Sequence, residues 1–237
     1  MTLELLSILI PILIVVVIFL IYYFNRKQII LRKLSKFKFK HILSFKTDEL
    51  TKVTGKVLHV HEPFVMPYSK RKCVAYLFKI ERKVRTGKHS RWKTLIEKED
   101  IQDFFIEKNG EVVIVKPRKS PKNYYGYLVE DTSISSGTFN DPTPEFKKVL
   151  DDFGIESENW FGFNKTLRYT ERIIEVGEVI TVGGVAKWKA IDKSVSGYEN
   201  SKIATLESSG NQKIIITDLI SARRTELQNF RIPISRY

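Results

Sequence analysis

The chain has 237 residues with 40 Lys and Arg against 27 Asp and Glu, a net charge of +13, and one cysteine. A lone cysteine excludes an internal disulfide framework and agrees with a reducing compartment. The basic excess points toward polyanionic partners, and lipid is favoured over nucleic acid because the first segment of the chain reads as a membrane anchor.

From Leu5 to Phe24 every residue except Ser7 is apolar or aromatic, Pro11 included. About twenty residues rising 1.5 Å each match a hydrocarbon core of roughly 30 Å, and the run leaves no face for water. One transmembrane helix is therefore predicted over 1–25. The only charge before it is Glu4, and it ends in Tyr22-Tyr23-Phe24-Asn25-Arg26, which does not fit a cleaved signal peptide. Arg26, Lys27, Arg32, Lys33, Lys36, Lys38 and Lys40 follow without an acidic residue. By the positive-inside rule the N-terminus is expected outside and the rest in the cytoplasm, as a single-pass protein of the cell membrane. Tyr22, Tyr23, Arg26, Lys27, Arg32 and Lys33 are the expected contacts with the lipid bilayer interface and its anionic headgroups. The stretch 26–44 has two readings: a helical continuation lying on anionic lipid, or a solvated basic linker.

Residues 45–237 read as one mainly β domain. Val53 to Val60, Cys73 to Val84, Trp92 to Glu97, Phe104 to Glu107 and Glu111 to Lys116 are short, rich in β-branched and aromatic residues, and bounded by turn residues. Asn109-Gly110 suits the positive φ angles of a tight hairpin turn between two of them. One helix stands out after Thr143, a capping residue followed by Pro144, with Phe146, Val149, Leu150 and Phe153 forming a stripe before Gly154. It is expected to plug an end of the sheet assembly. Strands resume at Gly177 to Val182, Lys202 to Leu206 and Lys213 to Thr217, separated by Gly183-Gly184, Gly197 and Gly210. Arg223, Arg224, Glu226, Arg231 and Arg236 argue against a second span in 219–237.

Enzyme motifs are missing. Gly87-Lys88 lacks the upstream glycine and following Ser or Thr of a phosphate loop, and no GxGxxG, GxSxG or HExxH occurs. His59 and His61 share one strand face, with Glu62 or His89 as the third ligand a site would need, but two histidines at this spacing are common on solvated faces, so no metal, cofactor or catalytic residue is assigned. Cys73 precedes Val74-Ala-Tyr-Leu-Phe78 and reads as apolar core; with Lys70-Arg71-Lys72 beside it, it is also the only conceivable thioester carrier. Trp92 and Trp188 read first as core or interface anchors.

Pro67 to Tyr76, then Trp92, Phe104-Phe-Ile and Gly110-Glu-Val-Val-Ile-Val-Lys-Pro117, followed by Arg168-Tyr-Thr-Glu-Arg-Ile-Ile-Glu-Val-Gly-Glu-Val-Ile-Thr-Val-Gly-Gly184, resemble the GIDE-type, or beside-a-membrane (BAM), domain of membrane-anchored E3 ubiquitin ligases. The resemblance implies a β-barrel or sandwich-like domain, and places Arg168, Tyr169, Glu171 and Trp92 in a groove that takes a protein or peptide partner. Glu171 and Arg172 are expected to begin a helical turn, with Ile173, Ile174 and Val176 inward and Gly177 ending it. The ligases of that family carry a second span and a C-terminal RING finger. A RING needs about eight Cys and His ligands, and this chain has one Cys and four His. The expected function is a membrane-tethered, non-enzymatic interaction domain; the alternatives are a RING-less transferase using Cys73 and a polyanion-binding domain reading headgroups through Arg82 to Lys93.

Overall fold

The computed structural model describes residues 2–137, 140–158, 160, 162–190 and 202–223. The chain opens with helix α1 (Thr2–Tyr23), which contains Pro11, and turns at Asn25 into helix α2 (Arg26–Ser35). Asn25 is extended, and its side-chain oxygen accepts from the Lys27 amide at 2.9 Å, which satisfies one of the free donors that every helix start exposes. Then come β1 (Lys38–Phe39), a 3-10 turn (Ile42–Ser44), β2 (Glu49–His59), β3 (Phe64–Val65), β4 (Lys72–Thr86), β5 (His89–Ile101), β6 (Phe104–Lys108), β7 (Glu111–Val115), β8 (Tyr124–Tyr127) and β9 (Thr132–Ser135). Helix α3 (Pro144–Asp152), β10 (Leu167–Glu175), β11 (Val179–Ala190), β12 (Lys202–Glu207) and β13 (Ile214–Thr217) complete the fold.

β2, β6, β7, β12 and β11 pair in that order, and β11 pairs back onto β2 from Val179↔Lys56 to Ala186↔Glu49, closing a ring. Every contact in the ring is antiparallel except β7 with β12. A closed five-stranded barrel of this kind belongs to the Greek-key class that includes the OB-fold, an architecture that carries no function by itself. Its interior holds Val53, Val57, Phe104, Ile106, Val113, Val182 and Leu206 among other buried side chains. On the edge of β11 beside its contact with β12, β13 pairs at Thr181 to Gly183 and carries β8, so the barrel wall continues into a flap.

The second sheet, β5-β4-β10-β9 with β3 beside β4, forms from the segments between barrel strands. Helix α3 lies against one face of this sheet, where Phe146, Val149 and Leu150 pack with Phe78, Ile80, Leu167 and Tyr169. It therefore covers a sheet face rather than plugging an end of the sheet assembly. Its start is as the sequence indicates: the Thr143 hydroxyl accepts from the Phe146 amide, Pro144 opens the helix, and Gly154 has φ +64°. Asn109 and Gly110, at φ 54° and 82°, make the tight turn between β6 and β7.

Three expectations are corrected. Leu167–Glu175 is one continuous strand, so Glu171 begins no helical turn; pairing with β4 and β9 on both edges holds it extended. Gly183-Gly184 separates nothing and lies within β11. Residues 26–44 are no solvated linker, because α2 and β1 pack on the barrel and Ile42 and Phe45 enter its core. Gly197 and 224–237 lie outside the described residues.

Candidate functional site

The junction between α1 and the barrel is the most elaborately built part of the surface. Phe39, Lys52, Gly183, Ile215 and Tyr125 are successive register partners across β1, β2, β11, β13 and β8. Directly opposed residues share a face, so these five form a row on the outside of the barrel, and α2 sits on it. Lys52, only 4% exposed, donates from Nζ to the Leu34 carbonyl at 3.1 Å and lies 4.4 Å from the Phe39 ring centre. It thus adds a charged donor to a carbonyl of the last helical turn that also accepts from the Phe37 amide at 3.2 Å, where a cation is favoured by the helix dipole, while burial lowers its pKa. A Cβ on Gly183 would stand 3.0 Å from Leu34 Cδ1 and 3.1 Å from Phe37 Cγ, so only glycine lets the helix approach this closely. Ile215 joins Ile30, Leu34 and Phe37 in one buried cluster, and Lys33 Nζ reaches the Tyr125 ring at 4.2 Å. Arg32 reaches back to α1, donating to the Tyr23 carbonyl at 2.8 Å with its guanidinium 3.7 Å from the Tyr23 ring centre.

Against that seat, α1 is bare: its side chains from Leu9 to Tyr23, and Phe24 after it, are exposed. No single helix among the described residues is long and apolar enough to cross a membrane; Leu9–Tyr23 and Arg26–Ser35, bent by 61°, pass that test of length and composition as a pair. Tyr22 and Tyr23 are exposed at the end of α1, whereas Arg32 and Lys33 spend their charge on protein rings.

The four residues expected in a partner groove divide between the two faces of the second sheet. Arg168 grips the Glu81 carboxylate through Nε and a terminal nitrogen at 3.0 and 2.7 Å, and its guanidinium lies 4.3 Å from the Trp92 ring centre. Tyr169 and Glu171 point to the other face and are fully buried. The Tyr169 hydroxyl donates to Glu171 Oε1 at 2.5 Å, Ser69 N donates to the same oxygen at 3.3 Å, and Glu171 Oε2 has no hydrogen-bond partner among the described residues. Burial, with the Glu171 carboxylate next, pushes the Tyr169 hydroxyl far up. This pair belongs to the core. Beyond Trp92, the tips of β4 and β5 pair only with each other; this arm and its base carry Arg82, Lys83, Arg85, Lys88, Arg91 and Lys93 with no acidic residue between them.

Between the flap and the second sheet lies a cavity of about 360 Å³ whose apolar wall is formed by Leu77, Ile101, Tyr124, Leu128, Ile174 and Ile216. Arg26, the first residue of α2, also lines it. Two other rim cations are occupied: Lys122 contacts Glu99 at 2.5 Å and Arg172 contacts Glu130 at 3.4 Å. The Tyr124 hydroxyl also donates to Glu99, at 2.6 Å.

Cys73 is fully buried with Met66 and Ile173, and burial pushes its thiol up to about 12, the opposite of an activated nucleophile. His59 Nδ1 lies 3.1 Å from the His61 carbonyl, and no group of three or more His, Cys, Asp or Glu among the described residues is arranged to hold a metal ion. Near the end of β13, Arg223 reaches Glu178 at 3.4 Å and donates to the Asp218 carbonyl at 3.0 Å. Burial raises the Glu178 carboxyl to about 7, the Glu175 amide opposes this, and Asp218 and Asp131 add to it.

Residues of the α2 seat, Lys52, Gly183, Ile215 and Tyr125, carry no sequence signal as a set; only the spacing of Ile30, Leu34 and Phe37 could have announced an amphipathic helix needing a partner. No family model, curated protein or solved structure matches this chain.

Proposed function

We propose that this chain is a membrane-tethered, non-enzymatic interaction domain, in keeping with the GIDE-like motifs of its sequence. In this reading α1 spans the cell membrane once with its N-terminus outside, and the barrel faces the cytoplasm against anionic headgroups, where it recognises a protein or peptide partner. The observation that carries it is the seat of α2: the helix that directly follows the bare apolar α1 is packed against β2, β11, β13 and β8, which suits a body mounted at a fixed attitude to a bilayer rather than one on a loose leash. The surface that suits a partner is the β4–β5 arm with Arg168 and Trp92 at its base, and the partner that fits so many cations is an acidic segment. The buried thiol of Cys73 gives no support to a transferase route.

The test is alkaline extraction and protease protection of the full chain in its membrane. The expected result is retention in the membrane pellet, with an N-terminal tag cleaved from outside and the barrel protected. Release at high pH, or digestion of the barrel from outside, refutes the reading.

A further inference from the structure

The cavity between the flap and the second sheet begins at the residue where the chain leaves α1. Arg26 lines it, while Leu77, Ile101, Leu128, Ile174 and Ile216 supply a continuous apolar wall. Its polar rim is largely spent on itself, Lys122 with Glu99 and Tyr124 and Arg172 with Glu130. Arg26 makes no side-chain hydrogen bond or ion pair among the described residues. A peptide laid in this space would lose hydrogen bonds to water and find few replacements, at a cost for every buried amide. A hydrocarbon chain asks for none. A volume of about 360 Å³ is at the small end of ligand pockets, in the range of one chain rather than a bulky ring system.

We infer that this cavity takes one acyl chain of a phospholipid from the leaflet that holds α1, with the lipid phosphate on the Arg26 guanidinium. The inference rests on the proposal that α1 lies in a bilayer, for that is what brings Arg26 to headgroup depth. Guanidinium and phosphate pair through charge-assisted hydrogen bonds, and the chain replaces water along the apolar wall. The domain would then grip the membrane at two points, α1 and the lipid, and the occupied cavity would brace the flap against the second sheet.

Gly126 offers a way to fill the cavity from the flap. It lines the space, its φ is not positive, and a Cβ there would meet only the Tyr124 ring, at 3.8 Å. Gly126→Leu therefore adds bulk on the cavity side from a Cβ at ordinary contact distance. Leu128→Asp, at a half-buried position of the wall, is the second variant and acts by charge instead of volume.

The experiment reconstitutes the full chain in phosphatidylcholine and phosphatidylglycerol vesicles containing phosphatidylcholine with a photoreactive diazirine near the end of one acyl chain. Adducts are mapped by peptide mass spectrometry after irradiation. The expected result is labelling of α1 and of the wall segments 75–77, 99–101 and 126–130. In both variants wall labelling should fall at least fivefold while α1 labelling is unchanged. Labelled α1 with an unlabelled wall, or wall labelling that survives both variants, overturns the inference and leaves the anchor standing. An unlabelled α1 overturns the anchor and this inference with it.

Discussion

Replacing Gly183 by valine tests whether the seat of α2 governs the mounting of the barrel. In an ordinary strand interior the change should stabilise, since glycine there costs about 0.5–1 kcal/mol in backbone entropy and valine suits a strand. Here the added Cβ alone would stand 3.0 Å from Leu34 Cδ1 and 3.1 Å from Phe37 Cγ, and the two methyl groups of valine extend further into the same space. Overpacking of this kind costs about 1–3 kcal/mol. The alternative, releasing the helix, exposes Ile30, Leu34 and Phe37 at about 1.5–3 kcal/mol each, roughly 5–9 kcal/mol together. The cheaper response is a strained, partly lifted α2. Set against the gain from removing glycine, the expected net effect is a loss of about 1–2 kcal/mol in urea denaturation of the full chain in detergent micelles. Amide exchange should accelerate selectively in 26–39 while β6 and β7 stay protected, and Gly183→Ala should fall between wild type and valine. A valine variant as stable as wild type or more so, with α2 still protected, refutes the reasoning, because the sign of the effect depends on the helix being there.

Two further outcomes follow from buried titratable groups. The Glu178 carboxyl is raised by burial to about 7, so between its ordinary 4.5 and 7 the folded chain holds a proton that the unfolded chain has lost. Stability therefore falls as pH rises through that window, by well under about 3 kcal/mol because solvent reaches the partly exposed carboxyl and screens it. Glu178→Gln should match wild type near pH 4 and exceed it near pH 8, by somewhat less than that limit because the contact with Arg223 is weakened; a difference that does not change with pH contradicts the assignment. Cys73, buried with a thiol near 12, should resist alkylation in the native chain and react at the rate of a free thiol in urea; rapid native labelling contradicts the packing.

Much of the architecture was legible because its signals are local. Asn109-Gly110 turns where positive φ is needed, Thr143-Pro144 starts a helix, and the β-branched runs fall within strands, although β11 continues eight residues past the expected end at Val182. Locality also explains the errors. Glu171 and Arg172 look like a helix start until two neighbouring strands hydrogen-bond the segment on both edges. Gly183-Gly184 looks like a break until α2 is laid across it. Of the four residues expected to meet a partner, alternation along β10 sends Arg168 to one face, beside Trp92, and Tyr169 and Glu171 into the core on the other.

What the amino-acid order determines unaided is the apolar length of α1, the basic flank after it, the strand-rich composition and the missing chemistry of a RING, because each is a property of adjacent residues or of the whole count. Only the tertiary structure decided that 26–44 belongs to the folded body, that residues of β2, β11, β13 and β8 make a bed for α2, and that a cavity lies beside Arg26. Those features depend on which strands pair and in what register. A one-residue slip of β11 would turn Gly183 inward and leave the helix no place to rest.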